Sequence, residues 1–343
     1  MRITIATGIY PPDIGGPAQY ARETERAWGS VWHTVAVCRF NALRFLPSGI
    51  RHLAFFLWVL WRSVGADFIF IPDTFSAAVP AVAVGKLLRK KTIIRTGGDF
   101  LWEQFVERTG DLVLLRNFYQ TRRAQLNAKE RMIFRFVRWA LQNASAVVFS
   151  TEWQKNIFAE PYRLDAEKCF VVENYYASCT ARYSDVLENI RTKKVFVGGT
   201  RKLKWKNTER LRRAFCIAKA PRHELTLDME NAPHLAFQEK IKNAYAVILA
   251  SLGDISPNMI LDALRTGTPF ILTRETGLYE RLKNIAVFVD PESERDIAEK
   301  VLWLSDERNY TAQTAKVRAF SFTHSWDEIA HEILAIQKQL GIC

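Results

Sequence analysis

Two carboxylates, Asp254 and Asp262, stand eight residues apart around the stretch Ser256-Pro257-Asn258. The apolar run Ala246–Ala250 before them has the length of a buried strand. Ser256 is suited to cap a helix and Pro257 to open it. That reading puts Asp254 in the loop before the helix and Asp262 on its second turn. The helix start at Asn258 offers free N–H groups and a positive dipole end to a phosphate. Asp262 is able to accept both hydrogen bonds of a diol. The plainer alternative is a capping Asp followed by a solvent-facing one, and the residues alone leave both open.

A second group lies upstream. Strand Lys194–Val197 runs into Gly198-Gly199-Thr200-Arg201-Lys202-Leu203-Lys204-Trp205-Lys206-Asn207. Residues 191–213 hold ten basic side chains against one acidic, Glu209. A solvated basic face is the ordinary explanation of such a run. At the carboxyl end of a strand, however, an Arg fork and a Lys point charge are also suited to hold a diphosphate. A third group follows the first strand, Arg2–Thr7, as Tyr10-Pro11-Pro12-Asp13-Ile14-Gly15-Gly16-Pro17. Gly15 and Gly16 at a strand-to-helix turn let backbone N–H groups approach an anion, or else serve a tight turn. The spacing is not G-x-G-x-x-G, so the dinucleotide fingerprint is absent.

These residues need elements to position them. The chain has 343 residues, 48% of them hydrophobic and 12% aromatic, enough for two packed domains and too apolar for disorder. Strand-length apolar runs alternate with amphipathic helix-length stretches. Strands are predicted at Arg2–Thr7, Thr34–Cys38, Asp67–Ile71, Thr92–Arg95, Ala146–Ser150 and Cys169–Val172. Helices are predicted between them at Ala18–Trp28, Ile50–Val64, Ala77–Leu88, Lys129–Gln142 and Glu152–Phe158. A polar lapse near Tyr176–Arg191 marks a boundary, and the alternation then restarts to the final helix Ser325–Leu340. The implied class is α/β, two parallel sheets covered on both faces, with a ligand cleft at the carboxyl ends of the strands.

The net charge of +12 attracts polyanions without choosing among them. Five scattered cysteines without a C-x-x-C predict neither a disulfide framework nor a zinc site. The start, Met1–Gly8, lacks the apolar core of a signal peptide, so a reduced, cytoplasmic protein is expected. The apolar run Leu53–Trp61 is about half of a bilayer span. It reads as a buried helix, with a helix lying on a membrane surface as the alternative. Residues 108–138 carry eight basic side chains against Asp111 and Glu130, interleaved with aromatics. Arg131, Arg135 and Arg138 share one helix face. An ordinary solvent face explains them, and docking to an acidic membrane or a lipid-diphosphate acceptor is the sharper reading. No nucleic-acid-binding motif accompanies the charge, so nucleic acid is not an expected partner.

Taken in order, the motifs resemble a retaining glycosyltransferase of family 4, of the two-Rossmann-domain GT-B class. The matching elements are Pro11-Pro12-x-x-Gly15-Gly16, then Gly199-x-Arg201-x-x-x-x-Lys206-Asn207, then Asp254-x7-Asp262 where the family carries Glu-x7-Glu. Gly267-Thr268-Pro269-Phe270, leading to Gly277-x-x-Glu280, and the ending Phe322-x-x-x-Trp326 continue the match over nearly the whole chain. The resemblance implies an N-terminal acceptor-side domain over 1–180 and a nucleotide-sugar-binding domain over 181–322. It also implies a helix over 323–343 that crosses back to the first domain.

It implies transfer of a sugar from a nucleotide-diphosphate sugar to a glycan, lipid-linked or other hydroxyl acceptor with retention. Arg201 and Lys206 would neutralise the leaving diphosphate, and backbone N–H groups at Asn258 would meet phosphate. Asp254 would lie near the donor sugar, and Asp262 would hold the ribose. Gly15 and Gly16 would adjoin the reaction centre, and Asp99 is the candidate for the polar group that many relatives supply as His, with a structural turn Asp as the alternative. No cofactor beyond the nucleotide-sugar co-substrate and no metal is implied, in keeping with the lack of a D-x-D motif. Two departures stand out. Asp replaces Glu at both carboxylate positions, shortening each arm by one methylene and leaving a catalytically impaired binding or scaffold protein as the alternative function. Met229–Tyr245 is also too short for the usual helix plus strand, so the second domain is expected to be reduced.

Overall fold

A computed structural model describes residues 1–13, 15–179, 194–199 and 202–341. The chain folds into two compact units, one of residues 1–101, 125–175 and 324–343, the other of 102–124 and 176–323.

In the first unit β1 (Arg2–Thr7), β2 (Thr34–Arg39), β3 (Phe68–Ile71), β4 (Lys91–Arg95), β5 (Ala146–Phe149) and β6 (Cys169–Val171) form one parallel sheet, ordered β2-β1-β3-β4-β5-β6. Runs such as Phe68-Ile69-Phe70-Ile71 are buried along their length because helices cover both faces. The helices between strands are α1 (Gly16–Ser30), α2 (Ser48–Ser63) and α3 (Ala78–Leu88), then α4 (Phe100–Thr109) and α5 (Leu115–Thr121), then α6 (Ala128–Asn143) and α7 (Glu152–Tyr162). A capping box starts α6: the Asn127 side chain accepts the Glu130 N–H, and the Glu130 carboxylate accepts the Asn127 N–H, each at 2.9 Å. Across one face of the sheet, Trp28 of α1 packs with Phe68, Phe70, Ile329 and Ile333. The Trp28 indole N–H donates to the Ala330 carbonyl at 3.1 Å, pinning the chain's last helix to α1.

The second unit has the parallel sheet β11-β10-β9-β7-β8. Its strands are β7 (Lys194–Gly198), β8 (Leu225–Asp228), β9 (Ala246–Leu249), β10 (Phe270–Thr273) and β11 (Val287–Val289). One face is covered by α8 (Thr208–Lys219) and α12 (Glu294–Ser305), packed around Phe196, Phe215 and Val301. The other is covered by α9 (His234–Asn243), α10 (Asn258–Thr266), α11 (Tyr279–Leu282) and α13 (Glu307–Arg318), with Ile260, Leu264 and Leu282 in its core. The final helix, α14 (Trp326–Gln339), belongs to the first unit. The short Met229–Tyr245 stretch holds no strand, as expected from its length, but it does hold a helix, α9.

Several expectations need correction. Helices α4, α5, α9 and α13 lie where the sequence pattern predicts no element. From residue 102 on, α4 and α5 pack in the second unit, so the basic run 108–138 is divided: residues up to 124 belong to the second unit and the rest to the first. The run Leu53–Trp61 is half-buried rather than buried, with Phe55 and Val59 inside and Leu53, Leu57 and Trp61 exposed.

The α4–α5 packing is close. Leu115 N–H donates to the Leu252 carbonyl at 3.1 Å, and a Cβ at Gly253 would lie 2.5 Å from Leu115 Cβ and 3.2 Å from the Trp102 ring. Gly253→Ala should therefore destabilise the protein by about 2 kcal/mol through overpacking. Urea unfolding measures it, and an unchanged midpoint would show that α5 does not press on this loop.

Candidate functional site

The strand order of the second unit reverses between β7 and β9: β8 lies on one side of β7, and β9, β10 and β11 on the other. Open α/β sheets bind ligands outside the carboxyl ends of the strands at such a switch point. The loop after β7 delivers Lys206 there, and the loop after β9 delivers Asp254. The Lys206 ammonium donates to Asp254 Oδ2 at 2.5 Å, with both side chains largely shielded from solvent.

Local structure fixes each member. Lys206 ends a short 3-10 turn, Lys204–Lys206, and Asn207 then takes a left-handed conformation with φ 59°. Asn tolerates that region better than most residues. The buried Asn207 amide donates to the Ala250 carbonyl at 2.9 Å and the Pro291 carbonyl at 2.7 Å, tying the turn to the end of β9. The Lys206 ammonium sits 4.2 Å from the centroid of the Trp205 ring, and Trp205 packs on Trp102 of α4 with centroids 5.5 Å apart. The aromatic face favours the cation while its apolar body excludes water. Asp254 is clamped through its backbone: its N–H donates to the Glu275 carbonyl at 2.9 Å, and its carbonyl accepts the Gly277 N–H at 3.2 Å. Glu275, buried to 1% exposure, pairs through both carboxylate oxygens with Arg116 of α5.

The helix after Asp254 begins one residue later than expected. Pro257 occupies the cap position with no side-chain capping bond, and Asn258 is the first helical residue and is exposed. Ser256 does not cap; its hydroxyl is buried without a protein partner. The first N–H groups of α10 therefore lack a side-chain acceptor. Asp262 lies on α10 and accepts the Gln238 side-chain N–H of α9 at 2.9 Å, with Arg265 3.5 Å away. Asp262 is thus engaged with α9 rather than with Asp254.

The basic run divides. Arg201, with residues 191–193, lies outside the described residues. Lys194 donates to the Ser305 carbonyl at 2.5 Å, Lys204 donates to the Glu107 carbonyl at 2.9 Å, and Arg213 pairs with Glu294 at 2.7 Å. Lys206 is the member of the described run that reaches Asp254.

The remaining candidates belong to the first unit. Gly15 caps α1 with extended backbone, and Gly16 opens the helix. The loop before them is held by Asp13, which accepts the Asn41 side-chain N–H at 2.9 Å and pairs with Arg44. A Cβ at Gly16 would meet nothing within 4 Å, so packing does not demand glycine there. Asp99 is buried beyond the end of β4, in the loop that follows Arg95. The buried Arg95 donates to Ser150 Oγ at 2.8 Å and Asn174 Oδ1 at 2.5 Å, its guanidinium 4.1 Å from the centroid of the Tyr20 ring. Burial lowers the Arg95 pKa and pushes the Tyr20 phenol up to about 12, so Tyr20 stays neutral at physiological pH.

Trp205, Trp102, Arg116, Glu275 and Gln238 were not singled out from sequence as site residues. The signal for Arg116 and Glu275 was weak: an Arg within a basic run and a Glu between a strand and a glycine. Among the described residues no group of three or more His, Cys, Asp or Glu side chains is placed to hold a metal ion.

Comparison with known proteins agrees with this architecture. No family model and no curated protein sequence matches the chain. Solved structures do. Sucrose-phosphate synthase of Thermosynechococcus elongatus superposes with a TM-score of 0.71 at 12% identity, covering 99% of each chain. HepE of Anabaena in complex with UDP gives 0.64 at 12% identity, covering 100% of this chain and 99% of its own. WaaG, a glycosyltransferase involved in lipopolysaccharide biosynthesis, gives 0.65 at 12% identity over 98% of this chain and 99% of its own. At this identity the likeness shows the fold: an α/β chain of the GT-B type, built from two Rossmann-like units.

Proposed function

We propose that the protein is a glycosyltransferase that moves a sugar from a nucleotide-diphosphate sugar to a hydroxyl acceptor with retention, in the manner of family 4. The observation that carries this reading is the Lys206–Asp254 pair at the switch point of the second sheet. HepE, one of the similar structures, has been solved with UDP and with UDP-glucose.

Departure of a nucleoside diphosphate builds negative charge on the leaving oxygens. Lys206, Arg201 and the uncapped start of α10 at Asn258 neutralise it, in a role that otherwise falls to a divalent metal. Lys206 leaves Asp254 for the phosphate as the donor enters, and the freed Asp254 carboxylate faces the donor sugar. Asp262 accepts the ribose hydroxyls in exchange for Gln238. Gly15, Gly16 and Asp99 serve the acceptor and the reaction centre. The acceptor is a glycan, a lipid-linked glycan or another hydroxyl compound. A lipid-linked acceptor places the enzyme peripherally at the cytoplasmic face of a membrane.

A second reading is favoured by one observation: both carboxylate arms are one methylene shorter than those of the family it resembles. On that reading the chain binds the nucleotide sugar without transferring it.

A thermal-shift screen across UDP-, GDP- and ADP-sugars, followed by nucleotide-release kinetics, separates these outcomes. A donor at 100 times its dissociation constant adds about 2.7 kcal/mol. Asp254→Ala should abolish turnover while the fold persists. Binding without turnover in the wild type establishes the second reading, and no shift with any nucleotide sugar refutes both.

A further inference from the structure

The first unit carries an apolar groove of about 790 Å³ between α2, α3 and α6. Its walls include Phe56 of α2, Val79 and Ala83 of α3, and Met132, Phe136 and Trp139 of α6, with Arg131 and Arg135 at its edge. The groove does not end at its walls. Helical residues advance by about 100°, so Phe56 lies about 60° from Leu53 on α2, and the arc continues through Leu57 to Trp61; these three project outward at 61%, 54% and 71% exposure. Groove and stripe make one apolar surface, with Phe45 adding a side chain 78% exposed just before α2. Monomeric proteins rarely leave so large an apolar patch uncovered without a use for it.

The charge around the patch has one sign. The three helices carry seven basic residues and one acidic residue, Glu130, which is buried in the capping box of α6. No Asp or Glu occurs between residues 26 and 66. Trp61 itself lies under the Arg62 guanidinium, 5.2 Å from the ring centroid. This pattern discriminates among occupants. A second copy meeting this face across a two-fold axis would set arginines against arginines. A nucleic acid would use the arginines but leave the aliphatic stripe in water. An anionic lipid surface satisfies both: phosphates for the arginines, and an acyl boundary for Leu53, Leu57 and Trp61. No described helix is long and apolar enough to cross a membrane, and α2 has 16 residues.

We propose that this face docks on an anionic lipid bilayer. Helix α2 lies along the surface with Leu53, Leu57 and Trp61 inserted, the groove takes lipid chain, and Arg131 and Arg135 contact lipid phosphates. The proposal rests on the membrane contact contained in the transferase reading, locates it on this face, and is tested without any nucleotide sugar, so its failure and that of the transferase reading are distinguishable.

The test is co-sedimentation of the full chain with vesicles of phosphatidylcholine alone or mixed with phosphatidylglycerol. Recovery is expected with the anionic vesicles, falling as salt rises. Arg131→Gln with Arg135→Gln should weaken binding about 30-fold, from roughly 1 kcal/mol per basic residue at the surface. Leu57→Ser with Trp61→Ser should weaken it at least about tenfold. All four side chains are exposed, so both variants should keep the wild-type melting temperature. Brominated acyl chains should quench wild-type tryptophan fluorescence more than that of Trp61→Phe. Equal recovery with neutral and anionic vesicles, no recovery, or undiminished binding by either double variant overturns the proposal. So does a solution dimer that the Leu57→Ser, Trp61→Ser variant dissociates, since a second copy would then own the face.

Discussion

Lys206→Met should lower kcat for sugar transfer by about 10²–10³-fold, the usual loss when one preorganised charge partner of a transition state is removed. Met keeps much of the apolar stem that lies along Trp205, so the turn Lys204–Lys206 should survive. What is lost is the ammonium that neutralises the departing diphosphate on the proposed reading. Asp254, 12% exposed, would also lose its cation and, among the described residues, keep the Ser251 hydroxyl at 3.4 Å. The free enzyme should therefore melt slightly lower, whereas the deficit in transfer should be far larger than any loss of fold. The split is decisive. Nucleotide-release kinetics at saturating donor report kcat, and the melting temperature reports the fold. A kcat within threefold of wild type would remove Lys206 from the diphosphate site.

Arg116→Ala should produce the largest stability effect of any single exposed side chain in the second unit. Its guanidinium is half exposed, but its partner Glu275 is not, at 1%. Removing one partner of such a pair strands a buried carboxylate, which costs about 3 kcal/mol here, the low end of the usual range because water reaches the arginine. For a unit of this size that is a fall of about 6–12 °C in melting temperature. The double variant Arg116→Ala, Glu275→Gln should recover most of it, since no buried charge is then left unpaired. The proposed donor site should also feel the single change, because the Glu275 carbonyl holds the Asp254 N–H. Donor affinity should fall about tenfold, and limited proteolysis should cut between residues 102 and 124 earlier than in the wild type. An unchanged melting temperature would mean that the excursion α4–α5 does not depend on this pair.

Where the candidate residues fall along the chain is legible because it depends on local chemistry. Gly15, Lys206 and Asp254 each follow a strand whose apolar run is unmistakable, so their placement at strand ends needed only the alternation of runs. The start of α10 was misplaced by one residue because Ser256 and Pro257 satisfy a cap rule that the loop overrides. The partners were not legible. Gln238 meets Asp262 across α9 and α10, and Arg116 meets Glu275 across 159 residues. Neither pair has a spacing that any local rule reads.

The missed helices show the same limit. Residues 100–121 mix apolar and charged side chains without a clear period, and they fold as α4 and α5 against Trp205, Leu252 and Gly253. Tertiary contact, rather than propensity, makes them helical. The run Leu53–Trp61 erred in the other direction. Its apolarity predicted burial, yet only the face at Phe55 and Val59 found a partner within the unit.

By itself, then, the sequence determined the two α/β units, the strand ends that carry Gly15, Lys206 and Asp254, and the excess of positive charge. These follow from burial of apolar runs and from backbone rules, which act over a few residues. Only the tertiary structure decided that Lys206 meets Asp254, that Arg116 braces the loop behind it, and that the apolar face of α2 stays in solvent beside an arginine-rimmed groove. Those outcomes depend on which surfaces meet, and that is set by packing between segments far apart in the chain.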